Sequence, residues 1–341
     1  MLIMTISQEQ FIESNFNDFY PDLEISKVIC VQKRPINIKM GPYYGRTAIA
    51  LYEIQYQNIA GVINHKFIIV KKKGNLSKFE YPRMKNVWDS TKLNGMDYLL
   101  PRPLYATKTE LFTEYLPGSS LLHFFVRRLL RGLSYLFLRQ LENKVIQVAR
   151  WLINYQSLSK FFEWESLSSY IDNAQSMIEQ SIRFPKEFQQ RVLSIITSPY
   201  WLKKEIPKID SHGDFYFRNM IFKRSNIYLT DWESRPFRGN LFLDVHSFYF
   251  NLQSFSRLPL YSISTTKYLS RIFLQEYFMG TSLPIERNLY RFTKILFQIQ
   301  YLDDYDNDLN KWTPARSKLN DRYMMRLEIS LKRSIEDNLS I

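Results

Sequence analysis

The sequence predicts an α+β protein of two lobes, a small lobe built on an antiparallel sheet and a larger, mostly helical lobe. Short runs of β-branched and aromatic residues fill the first third of the chain, whereas long helical patterns dominate after Gly118. The chain has 341 residues and is 45% hydrophobic, so it can bury a substantial core. We therefore predict an N-terminal lobe over residues 1–117 and a C-terminal lobe over residues 118–341.

The small lobe is predicted from five strand-like runs and one helix. The break at Asn58–Gly61 between the second and third runs predicts a hairpin. A charged, mixed stretch at Leu76–Leu93 predicts the helix, and the last two runs follow Pro101 and Pro103. The predicted strands are Val28–Val31, Thr47–Tyr56, Val62–Lys71, Leu104–Ala106 and Leu111–Tyr115.

The larger lobe is predicted from apolar positions that recur every three or four residues. A β-like segment at Met220–Asp231 interrupts this pattern, which resumes near Leu243. The predicted helices before the interruption are Leu121–Ser159, Leu167–Arg183 and Phe188–Thr197.

The formal net charge of +13 and the isoelectric point near 9.5 indicate an anionic partner. No nucleic-acid-binding signature accompanies the charge, so we expect no nucleic acid as a partner. Cys30 is the only cysteine, which excludes an intrachain disulfide and fits a reducing, cytoplasmic setting. We expect no signal peptide and no transmembrane span, because no stretch has the required pattern of charge and apolar residues.

The residues that carry chemistry lie in two short segments, a predicted catalytic loop at residues 210–219 and a predicted metal segment at residues 229–233. Phosphoryl transfer from a nucleotide requires a carboxylate that orients or deprotonates the attacking hydroxyl group. It also requires an amide oxygen and a second carboxylate that hold Mg²⁺ on the phosphates. Asp214, Asn219 and Asp231 supply this set in order, with a predicted hairpin between the last two.

The motif HGDFYFRN at residues 212–219, followed by DWE at residues 231–233, resembles the aminoglycoside phosphotransferase and choline kinase-like family. The resemblance implies a bilobal protein-kinase-like fold and the use of ATP and Mg²⁺. It also implies a role for each matching residue, with Asp214 as the catalytic base and His212 as a brace for the loop. The implied catalytic residues are Asp214, His212 and Arg218, and the implied metal ligands are Asn219 and Asp231.

Upstream segments resemble the same family in the expected order. Phe67–Lys71 resembles the kinase strand whose lysine pairs with the α- and β-phosphates, and we assign this role to Lys71. Lys72 and Lys73 follow directly, so a register shifted by one residue stays open. Glu80, on the predicted helix, would be the acidic partner that holds this lysine.

The segment Leu111–Gly118 resembles the hinge of the family, which we place near residues 113–118. The backbone of Glu114 and Leu116 would meet the adenine base there. Further along the chain, Asp244 matches a family residue that we interpret as a structural brace for the catalytic loop.

Two departures from the family pattern bear on function. Residues 41–46 do not fit the glycine-rich loop that covers the phosphates, and residues 155–158 lack a histidine that relatives often carry.

The leading hypothesis is an ATP-dependent phosphotransferase whose acceptor is a hydroxyl group of a sugar, an aminoglycoside, an amino alcohol or a glycoconjugate. The alternatives are a pseudokinase that binds nucleotide without turnover, and a kinase with a membrane-associated or protein acceptor.

Residues 121–139 leave two interpretations open. An apolar stripe runs from Leu122 to Phe137 at spacings of three and four residues, with basic residues mostly outside it. The segment is either an ordinary helix of the larger lobe or a basic amphipathic helix that lies on an anionic membrane. The second interpretation would place a cytoplasmic protein peripherally at the inner membrane surface. The basic residues are Arg127, Arg128, Arg131 and Arg139.

Overall fold

The computed structural model describes residues 6–35, 48–72, 77–96, 99–129, 135–159, 163–181, 183–232, 238–257, 261–283, 285–308, 325 and 327–335. The chain forms two compact units. The first unit comprises Met1–Leu121 and Arg218–Arg235, and the second comprises Leu122–Phe217 and Pro236–Ile341. Within the described ranges, no helix is both long enough and apolar enough to cross a membrane.

Strands and helices are numbered separately in chain order. The strands are β1 (Ile25–Arg34), β2 (Ala48–Asn58), β3 (Ile63–Lys72), β4 (Pro103–Ala106), β5 (Glu110–Glu114), β6 (Ser119–Ser120), β7 (Glu163–Ser166), β8 (Glu205–Asp210), β9 (Met220–Lys223), β10 (Asn226–Leu229) and β11 (Arg238–Asn240). The helices are α1 (Gln8–Phe19), α2 (Ser77–Leu93), α3 (Leu121–Leu129), α4 (Tyr135–Ser157), α5 (Ser168–Gln180), α6 (Lys186–Ile196), α7 (Pro199–Leu202), α8 (Leu243–Ser254), α9 (Ile263–Gly280) and α10 (Arg287–Asp308).

The first unit is built on a five-stranded antiparallel sheet with the order β1-β2-β3-β5-β4. The predicted hairpin is β2–β3, whose tight turn at Asn58–Val62 is closed by a hydrogen bond from the Asn58 N–H to the Val62 carbonyl, at 3.0 Å. Helix α2 follows β3 as predicted. All five strands predicted for the small lobe are present.

Helix α1, which precedes the sheet, was not predicted. It starts at a capping box in which Ser7 and Gln10 bond to each other's backbone N–H groups. Ile12, Phe16 and Phe19, spaced by four and three residues, bury one face of the helix in the same core as the sheet. The signal was therefore present in the sequence as one short amphipathic stripe.

The second unit is mostly helical, as predicted, with α4 packed on α9. It also contains a three-stranded antiparallel sheet, β11-β8-β7, which the sequence did not reveal. Its strands are between 3 and 6 residues long, too short to display a clear alternation of apolar and polar residues. The predicted α+β class is confirmed.

In the described residues, the range of the predicted helix Leu121–Ser159 contains α3 and α4, and residues 130–134 lie outside the description. Its apolar stripe is divided between core and surface: Phe125 and Phe137 are each 1% exposed, whereas Val126 is 46% and Leu136 is 71% exposed. The arginine side chains predicted to face an anionic membrane lie outside the described residues, except for the exposed Arg139.

Candidate active site

The hairpin β9–β10 brings Asn219 and Asp231 to the same end of the first unit's three-stranded sheet. Met220 pairs with Leu229 in this hairpin. One step further, the N–H and the side-chain hydroxyl of Thr230 both donate to the Asn219 carbonyl, at 2.9 and 3.1 Å. These bonds join Asn219 to the residue that precedes Asp231, so the two predicted metal ligands lie at the ends of neighbouring strands.

Asp231 has a backbone φ of 62°, in the left-handed region that side-chain-bearing residues adopt only when their surroundings hold them there. The next residue, Trp232, is fully buried, and its indole N–H donates to the Leu229 carbonyl at 2.8 Å. The Leu229 N–H in turn donates to the Leu99 carbonyl at 2.9 Å. The chain is thus anchored on both sides of Asp231.

Lys71 lies near the end of β3 and connects two predicted site residues. Its ammonium donates to both carboxylate oxygens of Glu80, at 3.2 and 3.4 Å, and forms an ion pair with Asp231. Glu80 is 3% exposed, so its charge is buried against this lysine. Burial alone would lower the pKa of Lys71, but the carboxylates of Glu80 and Asp231 outweigh it and raise that pKa above its ordinary value.

The side chains of Lys71 and Lys72 have different acidic partners. Lys72 points away from Glu80 and pairs with Glu110 at 3.1 Å, with 55% of its side chain exposed. Lys73 lies outside the described residues, as do residues 41–46 of the expected phosphate loop. Of the lysines described, Lys71 is therefore the one that reaches the two acidic groups.

The predicted hinge, residues 113–118, includes the last two residues of β5 and the four that follow. The Glu114 N–H donates to the Arg102 carbonyl and the Tyr115 N–H to the Phe67 carbonyl, each at 2.9 Å. The Glu114 carboxylate accepts from the Lys66 ammonium at 3.2 Å. Leu116 is half-buried just beyond these bonds.

In the second unit, the predicted catalytic loop begins where β8 ends. The buried carboxylate of Asp244 accepts from the His212 N–H at 2.6 Å and from the Gly213 N–H at 3.0 Å. Gly213 has a φ of 84°, a conformation that glycine adopts without strain. Asp244 therefore fixes the turn that presents Asp214.

His212 is buried within the same turn. Its ring Nδ1 accepts from the Asp214 N–H at 3.3 Å, which assigns the ring proton to Nε2 in the neutral side chain. The imidazole of His212 thus bonds to the backbone on the far side of Gly213. Asp214 itself is half-buried, and Arg218, in a one-turn 3₁₀ helix at Phe217–Asn219, is half-buried as well.

Two aromatic residues of the predicted catalytic loop pack against rings of the second unit. Phe215 lies 5.5 Å from the ring of Trp151 and 5.8 Å from that of Phe248. Phe217 stacks on Phe125 at 5.2 Å and contacts Phe248 at 5.0 Å. Phe215 and Phe217 alternate with polar neighbours in the sequence, and both aromatic side chains are buried.

Sequence reasoning missed other residues that support these segments. Gln156 is a buried residue in the stretch that lacks the family histidine. Its side-chain amide donates to the Leu241 carbonyl at 3.1 Å and accepts from the Tyr277 hydroxyl at 2.7 Å. It links α4 and α9 to the chain that leads to Asp244. The guanidinium of Arg83, on α2, lies over the Trp232 ring at 5.4 Å. Neither residue belongs to a motif, so only spatial contact reveals them.

Comparisons with known proteins place this geometry in context. No protein-family model matches the chain. A stretch of 110 residues, 32% of the chain, is 33% identical to probable polyketide synthase 15 of Dictyostelium discoideum, and the chain spans only 3% of that protein's length.

Solved structures match over most of the chain. A glucosamine kinase in complex with glucosamine, ADP and inorganic phosphate is similar with a TM-score of 0.58 and 15% identity, over 87% of this chain and 83% of that one. The choline kinase LicA from Streptococcus pneumoniae is similar with a TM-score of 0.50 and 15% identity, over 96% of this chain and 99% of that one. The chain has the protein-kinase-like fold of the aminoglycoside phosphotransferase and choline kinase-like family, which confirms the resemblance seen in the sequence.

Proposed function

We propose that this protein is an ATP-dependent phosphotransferase that moves the γ-phosphoryl group of ATP to a hydroxyl group of a small molecule. One observation carries the proposal: in a fold shared with small-molecule kinases, the Lys71 ammonium bridges the carboxylates of Glu80 and Asp231. Kinases of this fold require a lysine held by a helix glutamate for the phosphates, together with an aspartate for the metal. The contacts in this chain match that requirement.

Asp231 and Asn219 are the residues that would hold Mg²⁺. Carboxylate and amide oxygens suit this ion, and the two residues stand side by side at the end of the hairpin. The Asp231 carboxylate pairs with the Lys71 ammonium, so a bound Mg²⁺ would share the negative charge of Asp231 with this lysine. When bound, Mg²⁺ would neutralise charge on the phosphates. No cluster of three or more His, Cys, Asp and Glu residues occurs in the described ranges, so phosphate oxygens and water would complete the coordination.

Asp214 is assigned as the general base that orients the acceptor hydroxyl group and receives its proton. The bonds from the His212 and Gly213 N–H groups to Asp244 hold the loop in one conformation, which general-base chemistry needs. Arg218 follows in the same motif, and we assign it a supporting role as a cation that binds phosphate oxygens.

Nucleotide binding is assigned to the first unit. The Lys71 ammonium would bind the α- and β-phosphates, with Glu80 keeping it in place. Since the N–H groups of Glu114 and Tyr115 already donate within the sheet, the Leu116 N–H is assigned as the donor to adenine. Glu114 would contribute to this recognition only through its carbonyl group.

The acceptor is proposed to be a small hydroxylated compound, such as an amino sugar, an aminoglycoside, an amino alcohol or a glycoconjugate. The names of the two similar kinases specify an amino sugar and an amino alcohol. Both compounds combine a hydroxyl group with a cationic nitrogen. A panel that varies these two features separately is therefore the most informative choice of acceptors.

The proposal is tested by measuring ADP release from Mg²⁺-ATP with glucosamine, an aminoglycoside, choline and ethanolamine as separate acceptors. We expect at least one acceptor to stimulate ADP release. Asp214→Asn is the matched variant, since it keeps the shape of the side chain and removes the base. We expect its kcat to fall by about 10²-fold or more while ATP binding persists.

Two results would contradict the proposal in different ways. Binding of Mg²⁺-ATP with no acceptor-dependent turnover across the panel would favour the pseudokinase alternative. Acceptor-dependent turnover that survives in Asp214→Asn at close to the wild-type rate would keep the enzyme but remove Asp214 from the mechanism.

A further inference from the structure

We propose that Arg83 is a positioning residue for the metal-binding carboxylate of Asp231 and acts through the indole ring of Trp232. The inference rests on the proposed function, because it takes Asp231 as a metal ligand. It adds to that function a residue that belongs to no motif of the sequence.

The conformation of Asp231 needs external support. A φ of 62° is unfavourable for a residue with a side chain, and it persists only where the surroundings hold the backbone in place. Thr230 fixes the chain before Asp231 through its two bonds to the Asn219 carbonyl. On the other side, the support is Trp232, which is fully buried and bonded to the Leu229 carbonyl.

Arg83 lies against Trp232 itself. The central carbon of its guanidinium group is 5.4 Å from the centroid of the ring, within the distance of a cation–π interaction. Tryptophan is the best aromatic partner for such a contact, and Arg83 is half-buried, which strengthens the interaction by reducing hydration. The residue that follows the metal ligand is therefore covered by a cation from α2.

Helix α2 contacts the metal segment by two separate routes. Glu80 and Arg83 are three residues apart, so both project from one face of the helix. Glu80 reaches Asp231 through the Lys71 ammonium, and Arg83 reaches it through Trp232. The first route acts on the carboxylate, and the second acts on the backbone that presents it.

This arrangement predicts an effect on metal binding that ordinary packing would not produce. Weakening the hold on Trp232 lets Asp231 leave its left-handed conformation, which displaces one metal ligand. Nucleotide bound without metal does not use this carboxylate, so its affinity should not change. The dependence of nucleotide affinity on Mg²⁺ is therefore the discriminating measurement.

The experiment is calorimetric titration of ATP into the full-length protein, with and without Mg²⁺. We expect Arg83→Gln to weaken the Mg²⁺-ATP affinity by about three- to tenfold, the range that corresponds to one cation–π contact, and to leave metal-free ATP affinity unchanged. Arg83→Lys keeps the cation and should recover most of the loss. Lys85→Gln, an exposed position of the same helix, should match the wild type.

Asp231→Asn supplies the reference for full loss of the metal-dependent component. If the wild type shows no such component, the proposed function fails and the role of Arg83 fails with it. If the wild type shows the component and Arg83→Gln retains it unchanged, only the positioning role is overturned. An equal loss with and without Mg²⁺ also overturns it, since that pattern indicates general packing. Should Arg83→Gln unfold at the titration temperature, Arg83→Met is used, because it keeps an apolar side chain over the indole without the charge.

Discussion

Lys71 forms ion pairs with two acidic residues of the first unit. Its side chain is 15% exposed and faces two carboxylates, one of them on the buried Glu80. Because the pKa of Lys71 is raised in the folded protein, the stability that its ion pairs contribute is present at neutral pH. On the alkaline side, this contribution is lost as the pH rises from 10.5 through the raised pKa of Lys71.

We expect Lys71→Met to lower the free energy of unfolding by about 3 kcal/mol, because it leaves a buried carboxylate without its cation. Lys72→Met is the matched control in the next residue of the strand. This variant removes an ion pair with Glu110 in which more than half of the lysine side chain is exposed. The free energy of unfolding should therefore fall by less than about 1 kcal/mol. Urea denaturation followed by tryptophan fluorescence measures both. Equal losses in the two variants would contradict a special role for Lys71.

The hairpin that carries the proposed metal ligands depends on one glycine outside it. A Cβ atom on Gly118 would lie 2.5 Å from the carbonyl oxygen of Phe222 and 2.7 Å from the side chain of Ile221. These atoms belong to β9, and Ser119 of β6 pairs with Phe222 in that strand. Gly118 therefore allows β6 to approach the hairpin as closely as it does.

We expect Gly118→Ala to destabilise the protein by about 1–3 kcal/mol, because a backbone oxygen has to move. Gly280→Ala is the control: its Cβ would meet only the flexible end of Ile153, at 2.7 Å, and alanine favours the helix in which Gly280 lies. The two variants are compared by thermal unfolding. A larger loss for Gly280→Ala than for Gly118→Ala would show that the hairpin adapts without strain.

The sequence was most informative where chemistry is concentrated in short segments. The spacing of Asp214, Asn219 and Asp231 predicted a loop followed by a hairpin, and both are present because each forms from neighbouring residues. Asp244 could be named as a brace because the family motif contains it. The hydrogen bonds that the Asp244 carboxylate accepts from the loop backbone are consistent with that interpretation.

Other features could not be predicted because no local pattern encodes them. The contact of Arg83 with Trp232 joins two distant parts of the chain, and neither residue shows a periodic signal for it. Which lysine near the end of β3 faces Glu80 depends on how α2 packs against the strand, and no local pattern of residues encodes this packing. The sheet of the second unit was missed because its strands are too short.

At the scale of the whole molecule, the buried His246 makes the free energy of unfolding depend on pH. His246 lies in α8 with its Nε2 at 3.0 Å from the Thr293 hydroxyl group, among the rings of Phe242, Tyr290 and Phe297. Burial lowers the pKa of His246 well below 6.5, and the Lys294 ammonium lowers it further. The folded protein thus keeps this histidine neutral under mildly acidic conditions.

Below pH 6.5 the unfolded chain binds a proton at this histidine that the folded protein does not. Stability should therefore fall as the pH drops, by up to about 1.4 kcal/mol per pH unit from this group. Urea denaturation between pH 7.5 and pH 5 measures the slope. His246→Gln should reduce the slope, and the exposed His123→Gln, in the same unit, should not. An unchanged slope in His246→Gln would assign the acid sensitivity to other groups.

The last prediction concerns where a chain with a net charge of +13 acts. The apolar residues Val126 and Leu136 are exposed on α3 and α4, within the segment that contains four arginines. An anionic bilayer attracts each basic residue near its surface by about 1 kcal/mol, and exposed apolar side chains add to this attraction. We expect the protein to co-sediment with vesicles rich in acidic lipid, to bind neutral vesicles weakly, and to be released at high salt as screening shortens the range of attraction.

A charge-matched pair of variants separates this segment from the charge of the whole molecule. Replacing Arg127, Arg128 and Arg131 with Gln should weaken vesicle binding and leave turnover with a soluble acceptor intact. Replacing the exposed Lys27, Lys33 and Lys203 with Gln removes the same charge elsewhere and should leave most of the binding in place. If both triple variants lose binding equally, the attraction is a property of net charge alone. If acidic vesicles bind no more protein than neutral ones, the segment is an ordinary part of the helical unit, and the acceptor is expected to be a soluble small molecule.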